Sequence, residues 1–135
     1  MTAQSVEIRN GRGDGLRGAA MFALAVGATC SATLTVYSGR HNRSFVLVAI
    51  FLAWVLAPYA GMFLARTVAE RSAAGIAAAM HAGMIALAVF ATGIYALVAL
   101  NPPVHEAAAP FLVVPAAMWL AIGSMLVGAR VARKR

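Results

Sequence analysis

The sequence predicts an all-α protein, a four-helix transmembrane bundle running up-down-up-down with both termini cytoplasmic, and three observations carry that prediction. First, residues 16–37, 45–65, 73–100 and 107–129 form four apolar stretches, each reaching the roughly 20 residues that a helix needs to cross a bilayer at about 1.5 Å per residue. Second, the chain is 62% hydrophobic and only 11% charged, whereas soluble domains carry charge at about a quarter of their positions. Third, nine of the eleven Lys and Arg residues fall on one side of the expected membrane, in the N-terminal tail, the second loop and the C-terminal tail, and only Arg40 and Arg43 fall on the other. Cationic flanks stay in the cytoplasm, and the short connections make successive helices antiparallel neighbours.

Residues 1–15 precede the first span, and the polar, Gly-rich run from Glu7 to Gly15 predicts a disordered cytoplasmic tail. Its Arg12-Gly13-Asp14 matches an adhesion tripeptide by chance, because the cytoplasmic side meets no cell-surface receptor. The first span begins at Leu16. Arg9, Arg12 and Arg17 ahead of Gly18–Ala28 also fit a signal peptide cleaved near Cys30 or Ala32. The apolar run, however, continues through Leu34, Val36 and Tyr37 to full spanning length. Cys30 is the single cysteine, which excludes an intramolecular disulfide and a Cys-x-x-Cys redox pair. Thr29, Ser31, Thr33 and Thr35 point around the helix rather than along one stripe, and most are expected to bond back to their own backbone.

In the second span Pro58 removes the hydrogen bond to the Trp54 carbonyl. The third span opens with Ala and Gly, and Gly75, Ala79 and Gly83 recur every fourth residue, a spacing that lets a neighbouring backbone approach closely. Gly27 and Ser31 of the first span are the expected counterpart. The other face of the third helix carries His81, Thr92 and Tyr95. Pro102 and Pro103 break the chain before the fourth span, where Glu106 suits a helix start and Pro115 frees the Phe111 carbonyl. Orphan carbonyls are costly in hydrocarbon, so the bends at Pro58 and Pro115 are expected to face the bundle. Residues 130–135 form a basic tail, either a topology anchor or a contact for anionic lipid.

Helical rise puts Trp54, Tyr59, His81 and Trp119 deep in the membrane, and polar groups at such depth find one another. Their expected cluster has two readings, a neutral histidine locking helices together or a mid-membrane site for a flat apolar molecule such as a quinone. On the exterior, Arg40 or Arg43 is expected to pair with Glu106. His41, His105 and Glu106 share that face, but two arginines beside them repel a cation, so no metal is expected. No cofactor is expected either, since His81 is the single embedded histidine and a bis-histidine haem needs two. Ion-coupled transport usually needs a carboxylate within the membrane, and Glu7, Asp14, Glu70 and Glu106 all lie at or beyond span ends.

The net charge of +7 is distributed between spans rather than along a solvated face, which argues against nucleic acid. No nucleophile and base stand within reach of each other, so no catalytic residue is assigned. The expected function is a non-enzymatic accessory or scaffold subunit that packs against itself or a membrane partner, with the lipid bilayer as its surroundings. The alternative is a small transporter or channel protomer, or a quinone- or lipid-binding protein, using the His81 region. Arginine preference with abundant Ala and Gly points to a GC-rich bacterial genome and hence to the inner membrane. Trp54-x-x-x-Pro58-Tyr59, Tyr95 and an acidic residue followed by Pro115 resemble small four-span bacterial membrane proteins of no assigned function, with Glu106 where an aspartate is expected. That resemblance implies no substrate and no mechanism.

Overall fold

The computed structural model describes the backbone of residues 3–40, 42–101 and 108–133, and the side chains of these residues other than 3–12 and 108. Among the described residues the secondary structure is four α-helices, α1 (Ala3–Gly39), α2 (Phe45–Glu70), α3 (Ala74–Leu100) and α4 (Ala108–Ala132). Each contains a stretch long and apolar enough to cross a membrane, and these are the helices of a multi-pass membrane protein. Two boundaries differ from expectation. Residues 3–15, expected to be disordered, are helical and continuous with the first span. The second span, expected to end at Ala65, continues to Glu70, because Arg66 and Glu70 lie one turn apart and bond to each other along the helix.

Local chemistry explains the ends. Ser44 caps α2, its hydroxyl accepting from the Leu47 N–H at 3.3 Å, while the Asn42 side chain accepts from the Ser44 N–H at 3.0 Å. The turn after α2 is closed by the Ser72 hydroxyl, which donates to the Val68 carbonyl at 2.7 Å. Asn101 donates to the Leu97 carbonyl at 2.8 Å where α3 stops. Pro110 lies in the first turn of α4, where its missing N–H leaves no helical bond broken.

The helices do not simply pack in chain order. The most extensive contact is between α1 and α3, followed by α2 with α4 and then α1 with α2; α3 and α4, although consecutive, touch least among these neighbours, and α2 meets α3 across the centre. The core is rich in methionine, with Met62, Met84 and Met118 essentially fully buried beside Val55 and Tyr95. Methionine is flexible enough to fill irregular spaces between packed helices. Pro58 and Pro115 are both buried, so each interrupted turn faces protein, as expected. The outer surface carries Phe22, Phe45 and Leu120, at 72%, 88% and 76% exposure, a distribution suited to lipid rather than water.

Candidate functional site

The expected cluster of Trp54, Tyr59, His81 and Trp119 is divided by the structure into an inward pair and an outward pair. Tyr59 and His81 are buried at 4% and 5% exposure, whereas Trp54 and Trp119 lie on the outer surface at 39% and 41%. The tryptophans instead join α2 to α4. Trp54 Nε1 donates to the Leu112 carbonyl at 3.3 Å, one residue past the Phe111 carbonyl that Pro115 leaves without its helical donor. Trp119 lies over Gly61, with ring atoms 2.8 and 2.9 Å from where a Cβ would stand, so only glycine admits the ring in this position.

Tyr59 shares a hydrogen bond of 2.8 Å with Ser31, neither with His81 nor with a carbonyl. Its ring and the side chains of Ala88 and Thr92 surround Gly27, at 3.1, 3.2 and 3.5 Å from a Cβ built there. Gly27 thus lets α1 sit directly against α3 beside the Ser31–Tyr59 bond. The other hydroxyls of α1 behave as expected, Thr29, Thr33 and Thr35 donating to the carbonyls of Ala25, Thr29 and Ser31 at 2.9, 2.9 and 2.7 Å. His81, Thr92 and Tyr95 all turn inward from α3. His81 Nε2, Thr92 Oγ1 and Tyr95 OH are buried without a hydrogen-bond partner among the described residues, and the Tyr95 ring stacks on Phe111 of α4 at 5.0 Å between centroids. Unpaired buried polar groups of this kind each cost about 1–3 kcal/mol, so the inward face of α3 is where polar chemistry within the bundle is concentrated.

The small-residue stripe has a different counterpart from the one expected. Gly27 and Ser31 face Ala88, Thr92 and Tyr59, whereas Gly75, Ala79 and Gly83 lie towards α4. A Cβ on Gly83 would stand 2.6 Å from the Met125 sulfur. Beyond that contact Gly75, Ala79, Met125 and Gly128 line an open trough of about 330 Å³. Helix geometry explains the mismatch: at about 100° per residue Ala88 and Thr92, which meet α1, lie on the face of α3 opposite Gly75, Ala79 and Gly83.

A charged cluster at the junction of α1 and α2 was not anticipated. One Glu70 carboxylate oxygen accepts from Arg66 Nε at 2.6 Å and from Arg17 Nη2 at 2.8 Å. The four-residue spacing of Arg66 and Glu70 was a readable signal for half of it; Arg17 comes from a separate helix, and no sequence spacing announces it. At the opposite end Arg40 stacks over Tyr37, its guanidinium carbon 4.0 Å from the ring centroid. Its expected partner Glu106, together with His41 and His105, lies outside the described residues. No family model, curated protein or solved structure matches the chain.

Proposed function

We propose that this chain is a non-enzymatic accessory or scaffold subunit of the bacterial inner membrane, which packs against a second copy of itself or another membrane protein through the outer face of α3 and α4. The observation that carries the reading is the open trough of Gly75, Ala79, Met125 and Gly128. A Cβ built on Gly75 or on Gly128 meets nothing within 4 Å. Small residues give acyl chains little to hold but allow another helix backbone to come close, which is how helices associate in lipid.

The orientation belongs to the same proposal, up-down-up-down with both termini cytoplasmic. Contacts support it: Trp54 meets Leu112 and Gly61 meets Trp119, so the register advances in the same sense along α2 and α4. Arg17 near the start of the first span meets Glu70 at the end of the second, and Gly39 meets Val48, which gives α1 and α2 opposite senses. The arginine distribution supports a cytoplasmic location for the end that carries Arg17, Arg66 and Arg130.

Native mass spectrometry of the full chain extracted in mild detergent tests the association. Leucine fits the open space at Gly75 and Gly128, so Gly75→Leu and Gly128→Leu are expected to keep the melting temperature and lose the associated species. Association surviving in both variants refutes the proposed face. A second reading, a mid-membrane transport or ligand site, is favoured by the unpartnered His81 Nε2. Flux in proteoliposomes that His81→Ala abolishes without lowering the melting temperature would establish it in place of the first.

A further inference from the structure

A groove of about 410 Å³ runs between α1 and α2, its apolar walls including Leu24 and Ala28 on one side and Leu56 and Phe63 on the other, and it ends at Arg66. From Leu56 to Arg66 the helix rises about 15 Å, half of the roughly 30 Å hydrocarbon core and so the depth of one leaflet. The guanidinium at its mouth is poorly served. Arg66 Nε is bound to Glu70 and the guanidinium carbon lies 5.6 Å from the Phe63 ring centroid, but among the described residues Nη1 donates only to the Met21 sulfur at 3.7 Å, and a thioether is a weak acceptor for a charged donor. Arg17 approaches from the other wall, half-exposed and sharing the same Glu70 oxygen. Two cations facing one carboxylate leave net positive charge at the end of an apolar trough.

We propose that this groove holds one acyl chain of an anionic phospholipid, with its phosphate bound by Arg66 and Arg17. A phosphate oxygen is the acceptor that Arg66 Nη1 lacks, and guanidinium and phosphate match in geometry as well as charge. Zwitterionic lipids carry their own ammonium and gain less from the uncompensated cation. The site lies on α1 and α2, away from the α3–α4 face, and stands whether or not that face binds a partner.

The test is native mass spectrometry of the delipidated full-length chain in detergent with equal amounts of phosphatidylglycerol and phosphatidylcholine of identical acyl chains. One phosphatidylglycerol is expected to be retained in preference to phosphatidylcholine. Arg66→Gln is expected to weaken it about five-fold, the worth of one cation near a membrane surface. Ala60→Leu fills the groove from an exposed position without changing charge, and is expected to weaken binding even if Arg66→Gln fails to fold. Arg133→Gln, beyond the end of α4, is expected to change nothing. Equal retention of the two lipids, a loss in Arg133→Gln as large as in Arg66→Gln, unchanged binding in Ala60→Leu, or displacement by millimolar inorganic phosphate would each overturn the proposal.

Discussion

Ser31 and Tyr59 show how a single side chain can change its role with its surroundings. Among the hydroxyls of α1, Thr29, Thr33 and Thr35 bond to their own helix, as serine and threonine do when no better partner is near. Ser31, wholly buried, instead reaches across to another helix and bonds Tyr59. A hydroxyl pair between helices in an apolar setting couples them by about 0.6 kcal/mol on average and about 1.7 at most. A double-mutant cycle of Ser31→Ala and Tyr59→Phe, followed by reversible unfolding in detergent, is expected to give a coupling energy in that range; additive effects would show that the bond contributes nothing net. The sequence marked Tyr59 as deep and polar and Ser31 as a small residue for helix packing, but could not pair them. Pairing depends on which faces of α1 and α2 meet, and four hydroxyls spread around one helix leave that choice open.

Among the helices, legibility follows the strength of the local signal. The four spans could be read directly, because hydropathy over some twenty residues is nearly independent of what a helix packs against. The partner of each face could not. Gly27 and the Gly75–Gly83 stripe have similar composition, and only the three-dimensional register sends the first to Ala88 and the second to Met125. Tryptophan depth was equally misleading: distance along the helix gives the height of Trp54 and Trp119 in the membrane but not whether they face lipid or core. The α1–α3 contact tolerates little added volume, since a Cβ on Gly27 already comes to 3.1 Å from the Tyr59 ring and 3.2 Å from Ala88. Gly27→Val is therefore expected to destabilise the bundle by about 1–3 kcal/mol through overpacking, measured as a fall in melting temperature in detergent. An unchanged melting temperature would mean that the two helices separate easily.

For the whole molecule, orientation and order of assembly are the properties that the individual contacts do not express separately. Orientation can be mapped with a Cys30→Ser background carrying Asn42→Cys or Arg133→Cys. A membrane-impermeant maleimide added to intact spheroplasts is expected to label Asn42→Cys at once and Arg133→Cys only after permeabilisation, and the reverse pattern would invert the topology. The order of assembly follows from the α1–α3 contact, the most extensive in the bundle. Gly27 and Ala88 are about 60 residues apart in the chain, so at a synthesis rate of about 5–20 residues per second the first helix waits roughly 3–12 s for its main partner. During translation, then, the nascent first helix waits in the membrane with the α3 side of Gly27 still facing lipid or the insertion machinery, and a ribosome that stalls before α3 leaves a hairpin with its principal packing surface uncovered.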